Sequence, residues 1–190
     1  MWERLLKWDR DTFIYLNGLG IEKYDVFWST VTQFTTWIPL FLLFIALFFL
    51  KFPKREALYR FLTVLGLAVF IALITHITKI SVARLRPNNT EEINTLIRIL
   101  KTPTDYSFFS GHASSSFSIT MLVFLFLRQR VKWAILFFIW PLLFAMSRIY
   151  VGVHFPIDIL VGMVVGLLSG WLFYALYERF IAPGSRSVHP

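Results

Sequence analysis

The stretch Ala57 to Ile80, ALYRFLTVLGLAVFIALITHITKI, decides the class of fold, because it is an apolar run of the length that a membrane-spanning helix needs. A hydrocarbon core about 30 Å thick requires about 20 helical residues. The basic side chains of this run lie towards its ends, at Arg60 and Lys79. The sequence therefore predicts a chain whose main solvent is lipid.

Four further runs have the same character. The chain is 57% apolar and 18% aromatic with a mean hydropathy of +0.64, which exceeds what a soluble core of 190 residues uses. We therefore predict an all-α transmembrane bundle with about five to six spanning helices and additional interfacial helices. The four other runs are approximately Phe27 to Leu50, Phe108 to Leu127, Trp133 to Ile149 and Ile157 to Tyr177.

The chain length leaves room for one domain, which we place at residues 27–182. Residues 1–26 carry Trp2, Leu5 and Phe13 at helical spacing between charges, which predicts an amphipathic helix that lies in the membrane interface. A sixth span in this segment is the alternative. Residues 183–190 are expected to form a loose C-terminal tail.

Short basic loops indicate the orientation of the spans. Because positive charge favours the cytoplasmic side, the loops after the first and third runs are expected there. The end of the second run, residues 88–106 and the start of the third run then face the other side. The net charge of +8 fits basic loops at anionic lipid, and nucleic acid is a poor alternative partner. The basic residues of the two loops are Lys51, Lys54, Arg55, Arg128, Arg130 and Lys132.

Two clusters of polar residues lie on the predicted extracytoplasmic face. One stands at the end of the second run and the other at the start of the third. Lys79, Arg84 and Arg86 end the second run, and snorkelling to the interface would explain any one of them. Ser110-Gly111-His112 opens the third run, where free amides and the positive end of a helix dipole can seat an anion. A serine-rich helix cap with a buried histidine is the ordinary alternative.

The third cluster contains Arg148, His154 and Asp158 on the same predicted face. A histidine four residues before an aspartate can reach it if Pro156 begins the next helix. The aspartate would fix the tautomer of the ring and leave the other nitrogen free to attack. A structural histidine–aspartate pair is the alternative. Because all three clusters are predicted on one face, we favour a single shared site.

With these clusters the sequence resembles the type 2 phosphatidic acid phosphatases, also called lipid phosphate phosphatases, which share a catalytic core with vanadium haloperoxidases. The family carries a lysine, six residues and Arg-Pro; then Pro-Ser-Gly-His; then Ser-Arg, five residues, His, three residues and Asp. The first motif stands as KISVARLRP from Lys79 to Pro87, and the third as SRIYVGVHFPID from Ser147 to Asp158. The second differs once, because Phe109 replaces the proline. The resemblance covers about half the chain, from Ile71 to Gly162.

The resemblance implies a role for each motif residue. His154 would attack phosphorus to give a phosphohistidine, with Asp158 orienting its ring, and His112 would protonate the leaving oxygen and then activate water. Family members need no metal, and no cofactor is expected. The phosphoryl oxygens would be bound by Lys79, Arg86, Ser110, the Gly111 amide and Arg148.

The implied function is hydrolysis of a lipid phosphomonoester or diphosphate by an integral membrane enzyme, with its active site on the periplasmic face of a bacterial inner membrane. Undecaprenyl diphosphate and phosphatidylglycerophosphate are the favoured substrates, and lipid A phosphate and phosphatidate are alternatives with the same mechanism. A membrane protein that binds phospholipid without catalysis is the competing class. A haloperoxidase and a phosphatase for soluble phosphates are weaker possibilities.

Three glycines in the last run are spaced four residues apart, at Gly162, Gly166 and Gly170. This spacing places them on one face of a helix, where small residues allow another helix to approach closely. The partner is either a helix of the same bundle or a second protomer. The sequence therefore leaves the oligomeric state open.

Overall fold

The computed structural model describes residues 1–182, and regular structure within them is helical, with no strand. The predicted all-α class is confirmed. The predicted tail, residues 183–190, lies outside the described residues. Seven α-helices occur in the described part: α1 Trp2–Gly18, α2 Asp25–Val31, α3 Ile38–Lys51, α4 Lys54–Val82, α5 Gly111–Leu127, α6 Ile139–Tyr150 and α7 Pro156–Leu176.

Three helical stretches in the described chain are long and apolar enough to cross a membrane: Phe34–Lys51, Lys54–Asn89 and Pro156–Ile181. Two further apolar helices, Gly111–Leu127 and Ala134–Tyr150, are shorter than this requirement. They coincide with the third and fourth predicted runs. The first predicted run, Phe27 to Leu50, is not one helix, because α2 ends at Val31 and the chain turns at Thr32 and Gln33 before α3 begins.

Helix α5 lies in the middle of the bundle. It has 17 residues, a length of about 25 Å, and contacts α4, α6 and α7. Leu122, Val123 and Leu127 on it are fully buried. A helix that is apolar on all sides packs inside protein, so α5 does not need to match the bilayer thickness by itself.

The glycine stripe of α7 faces α5 within the same chain. A Cβ atom at Gly162, Gly166 or Gly170 would lie 2.7, 2.5 or 2.6 Å from a backbone oxygen of α5 or its N-cap. The close approach brings the first turns of the two helices together, and the Ser110 amide donates to the Asp158 carbonyl at 2.9 Å. Of the two partners that the spacing allowed, the stripe packs against a helix of its own bundle.

Helix α1 packs on the bundle through one stripe, in which Asp9, Phe13 and Asn17 are completely buried. The Asn17 amide donates to the carbonyls of Arg98, Ile149 and Tyr150 at 3.0–3.1 Å, and its oxygen accepts from the Arg98 amide at 2.7 Å. This helix is not among the stretches that qualify as spans. That it lies in the membrane interface stays a prediction, as does the division at residue 26.

The α5–α7 contact predicts that two chemically identical substitutions will differ in effect. In Gly166→Ala the new methyl group meets the Ser114 carbonyl at 2.5 Å, and such overpacking costs about 1–3 kcal/mol. In Gly66→Ala the nearest atom, on the Phe173 ring, is 3.8 Å away, and alanine favours a helix by about 1 kcal/mol over glycine. Thermal unfolding in detergent should show a lowered midpoint for Gly166→Ala only. Equal midpoints would contradict the packing.

Candidate active site

The three predicted clusters meet at one end of the bundle. Helices α4 and α6 end there, α5 and α7 begin there, and residues 83–110 return over the same end. Helix α4 stops at Val82, and Ala83 adopts the left-handed conformation with φ 49° and ψ 33°. Arg86 and Pro87 therefore lie outside the helix that carries Lys79. Beyond the turn, the extended Arg86 directs its side chain into the bundle, where it is 3% exposed.

Arg86 connects the first motif to the third. Its Nη1 donates to the Val153 carbonyl at 2.8 Å and lies 2.9 Å from Nε2 of His154, which is 1% exposed. Because a guanidinium can only donate, Nε2 must accept and the ring proton must lie on Nδ1. The structure therefore holds His154 as the neutral tautomer, with Nε2 facing the Arg86 guanidinium.

The other ring nitrogen faces Asp158 and Ser107. Nδ1 of His154 lies 3.5 Å from Oδ2 of Asp158 and 3.4 Å from the Ser107 hydroxyl, which itself donates to that carboxylate oxygen. The Phe155 amide also donates to Oδ2, at 2.9 Å. The direct contact between histidine and aspartate is longer than an ordinary hydrogen bond. The serine hydroxyl therefore connects the two groups.

Lys79 and Arg86 share Asp105. The Lys79 ammonium donates to Oδ2 of Asp105 at 2.5 Å and to the Tyr106 carbonyl at 2.8 Å. Arg86 donates to Oδ1 and to the backbone carbonyl of Asp105, both at 2.9 Å. Burial alone would raise the pKa of Asp105, but the hydrogen bond from Lys79 and the charge of Arg86 outweigh it and lower the pKa. Asp105 is therefore an anion that balances part of the positive charge.

Arg148 and His112 meet at Thr32. Nη1 of Arg148 donates to the Thr32 hydroxyl at 2.5 Å, and Nε2 of His112 lies 3.2 Å from the Thr32 carbonyl. The His112 ring stacks on Phe144, with ring centroids 4.5 Å apart. Arg148 is 6% exposed, and its buried Nε has no hydrogen-bond partner among residues 1–182. An unpaired buried donor of this kind is costly, so the site is suited to an added acceptor.

The second motif forms the start of α5. Ser110 is the N-cap, and its hydroxyl accepts from the Ala113 amide at 3.4 Å. Phe109, which stands in place of the motif proline, is buried, and the N-cap hydrogen bond of Ser110 is still present. Helix α5 begins at Gly111, so the first amides of α5 have no partner within the helix. Ser110, Gly111 and His112 thus contribute hydroxyl, amide and imidazole groups at the end of the bundle where the other two motifs lie.

Burial and charge set the protonation state of His154. Burial lowers its pKa, and the positive charges of Arg86, Arg148 and Lys79 lower it further. The effect agrees with the neutral tautomer that the contact with Arg86 requires. The ring is therefore free to act as a nucleophile or a base without first losing a proton.

An apolar groove reaches this end of the bundle from the side. It has a volume of about 410 Å³ and runs between α4 and α5 to Lys79, Gly111 and His112. Ile71, Ala72 and Ile119 are among the apolar residues that line it. The groove thus leads from the lipid-facing surface of the helices to the polar cluster.

The structure adds residues that the sequence interpretation did not assign to the site. Ser107 and Thr32 contact predicted site residues directly. Arg84, which belongs to the first predicted cluster but received no role, joins Asp158 to Asp9 of α1. The position of Ser107, three residues before Ser110 of the second motif, could have indicated that it lies near the site. Thr32 and Asp9 gave no signal, because only the tertiary fold brings α1 and the α2–α3 turn to this end. The catalytic and binding roles of the predicted residues stay predictions.

Comparison with known proteins identifies the family. Residues 57–182 match the PAP2 superfamily. A lipid A 4'-phosphatase of Bacteroides thetaiotaomicron is 28% identical over 180 residues, 92% of this chain and 79% of that protein. An undecaprenyl-diphosphatase of Sulfolobus acidocaldarius is 34% identical over 162 residues, 84% of this chain and 68% of that protein.

The fold also agrees with a solved structure. The crystal structure of the transmembrane PAP2-type phosphatidylglycerolphosphate phosphatase from Bacillus subtilis matches with a TM-score of 0.74, over 93% of this chain and 88% of that chain. At 20% identity this comparison shows the shared fold. The family match extends over about two thirds of the chain and includes all three motifs. The chain is therefore an integral membrane protein that belongs to the PAP2 superfamily.

Proposed function

We propose that this membrane phosphatase hydrolyses a lipid phosphate or diphosphate through a phosphohistidine at His154. One observation carries the proposal: the neutral Nε2 of the buried His154 accepts from Arg86. The positive charges of Arg86, Arg148 and Lys79, called the phosphate cage below, act on this ring, and the buried Nε of Arg148 has no hydrogen-bond partner among residues 1–182. A neutral imidazole nitrogen is a nucleophile, and the cage fits a dianionic phosphoryl group. The relatives named as phosphatases support this proposal.

The cage supplies complementary charge and directed donors. Arg86 and Arg148 offer planar guanidinium groups, and Lys79 adds a point charge. The first amides of α5 contribute further donors at the positive end of the helix dipole. Since Arg86 already lies 2.9 Å from Nε2 of His154, a phosphoryl group held by Arg86 would be close to the attacking nitrogen.

The proposed reaction has two steps. In the first, Nε2 of His154 gives up its hydrogen bond from Arg86 and forms a bond to phosphorus, the bond from phosphorus to the lipid oxygen breaks, and His112, which must enter this step protonated, gives a proton to that oxygen. In the second, water attacks phosphorus, His112 takes a proton from it, and the phosphorus–nitrogen bond breaks to release phosphate. The negative charge on the phosphoryl oxygens is stabilised by Lys79, Arg86 and Arg148.

The groove between α4 and α5 favours a lipid over a soluble substrate. Its lining is mainly apolar, and it ends at His112, which would serve the leaving oxygen. An acyl or prenyl chain in the groove would place its polar end at the cage. Lipid A 4'-phosphate and undecaprenyl diphosphate are the first candidates because relatives carry these names. Phosphatidylglycerophosphate and phosphatidate are candidates with the same mechanism.

We place the site on the extracytoplasmic side of a bacterial inner membrane. The two basic loops lie together at the opposite end of the bundle, where Arg130 donates to the Lys51 carbonyl. Basic loops of this length favour the cytoplasm. A phospholipid-binding protein without catalysis is disfavoured, because both histidines and Asp158 of the motifs are present.

The nucleophile assignment predicts that His154→Ala lowers kcat by about 10³-fold or more, because no other group replaces Nε2. Phosphate release by the purified wild-type protein should persist in EDTA and stop with vanadate. Arg128→Ala, at the exposed far end of α5, is the control and should keep full activity. Intact-protein mass spectrometry after acid-free quenching should detect one added phosphoryl group on wild type only. Full turnover by His154→Ala would remove the assignment.

The lowered pKa of His154 predicts how its ring titrates. The ordinary pKa of histidine is 6.5, and burial together with the nearby positive charges lowers the pKa of His154 in the folded protein. The neutral ring should therefore persist as the pH falls through 6.5. Nitrogen-15 NMR of histidine-labelled, ligand-free protein measures this, with His154→Ala used to assign the signal. A ring that gains its proton at or above pH 6.5 would contradict the proposed cage.

The groove predicts a selective effect of blocking it. Each buried methylene contributes about 0.8 kcal/mol, so we expect kcat/KM for a lipid phosphate to exceed that for p-nitrophenyl phosphate by about 10²-fold or more. Ala72→Trp, inside the groove, should reduce lipid turnover and spare the soluble substrate. Leu73→Trp, which is exposed elsewhere on α4, is the control. Equal losses in the two variants would exclude the groove as the lipid site, and a preference for the soluble substrate would refute lipid specificity.

A further inference from the structure

Arg84 joins two buried carboxylates. Its Nη1 donates to Oδ1 of Asp158 at 2.7 Å, and its Nη2 donates to Oδ2 of Asp9 at 2.6 Å. Both aspartates are completely buried, whereas the arginine side chain is 20% exposed. Asp9 belongs to α1 and Asp158 to the first turn of α7, so the arginine connects the N-terminal helix to the third motif.

The second oxygen of Asp9 is also engaged. Oδ1 accepts from the Ile157 amide at 2.8 Å, next to Asp158 in the chain. The Arg84 guanidinium further lies over the Phe155 ring, 4.2 Å from its centroid. The guanidinium is thus held by two carboxylates and an aromatic face, and it has little freedom to turn.

This arrangement fixes the orientation of the Asp158 carboxylate towards His154. Arg84 occupies Oδ1, so Oδ2 is the oxygen that receives Ser107 and the Phe155 amide and lies 3.5 Å from the histidine. Without Arg84, a buried carboxylate would lose its charge partner, which is unfavourable. It would then gain freedom to rotate or take up a proton, and either change would weaken its effect on His154.

We propose that Arg84 and Asp9 are positioning residues of this active site. Arg84 fixes the Asp158 carboxylate against His154, and Asp9 fixes Arg84. The N-terminal helix, which precedes the residues that match the family, thereby takes part in the site. This inference rests on the proposed function, because it assigns the pair an effect on the histidine that the proposal makes the nucleophile.

A purely structural role would also explain an ion pair between α1 and the bundle, and the chain offers a matched control. Asn17, two turns further along α1, anchors the same helix through four hydrogen bonds and does not contact Asp158. Asn17→Ala therefore weakens the attachment of α1 and leaves the carboxylate pair in place. Asp9→Asn removes the charge that holds Arg84.

The experiment measures kcat, KM and the thermal midpoint of purified protein in detergent, with a lipid phosphate that the wild type turns over. Arg84→Gln should lower kcat by about 10- to 100-fold, by analogy with the loss that follows removal of groups that orient metal-bound histidines. KM should change by less than about twofold, because Arg84 is not part of the phosphate cage. Arg84→Lys should recover part of kcat, and Asp9→Asn should lower kcat by less than Arg84→Gln does. Asn17→Ala should lower the midpoint and keep kcat.

A second measurement does not depend on turnover. Nitrogen-15 NMR of ligand-free protein reports which ring nitrogen of His154 carries the proton. The Nδ1–H tautomer should dominate in the wild type and in Asn17→Ala, and Arg84→Gln should change this signal. An unchanged His154 signal in Arg84→Gln would overturn the inference, as would wild-type kcat in that variant or an equal loss of kcat in Asn17→Ala.

The outcomes also separate this inference from the proposed function. If His154→Ala retains full turnover, the proposed nucleophile is wrong and the positioning role falls with it. If His154→Ala is inactive while Arg84→Gln is fully active, the proposed function stands and only the positioning role is refuted.

Discussion

The contact between the buried Arg86 guanidinium and the neutral ring of His154 is the constraint on which the rest of the site depends. The arginine forces the ring proton onto Nδ1, so acceptors are needed on that side, and Ser107 and Asp158 provide them. Placing three cations near a buried ring is unfavourable unless anions or carbonyl groups compensate. Asp105 balances part of this charge. The arrangement is therefore best explained by an anionic ligand.

Two features of the helices bring the site residues together. Glycines let α7 pack closely against α5, and α4 ends before Arg86. The glycines of α7 allow the α5 backbone so close that the Ser110 amide bonds to the Asp158 carbonyl, which places the second and third motifs side by side. Helix α4 ends at Val82, and the turn at Ala83 releases Arg86 from the helix while Lys79 stays on it. Both side chains can then reach Asp105 from different directions.

Much of the fold and of the site could be predicted, because apolar run length and motif spacing are local properties of the chain. The all-helical class and the meeting of the motifs at one bundle end follow from them. The break at Thr32 had a local signal that the first predicted run passed over, because six of the eight residues from 29 to 36 are polar and a strongly apolar segment begins only after them. Asp9 stands among other charged residues of an amphipathic helix, and only the packing of α1 against α7 shows that it is buried.

The groove between α4 and α5 has a consequence for kinetics. It is lined by residues of apolar helices and meets the polar cluster from the side, so a lipid would reach His112 by two-dimensional diffusion within the leaflet. The effective concentration is then a surface density. The quantity that matters for such a substrate is its mole fraction among the surrounding amphiphiles and not its concentration in the bulk solution.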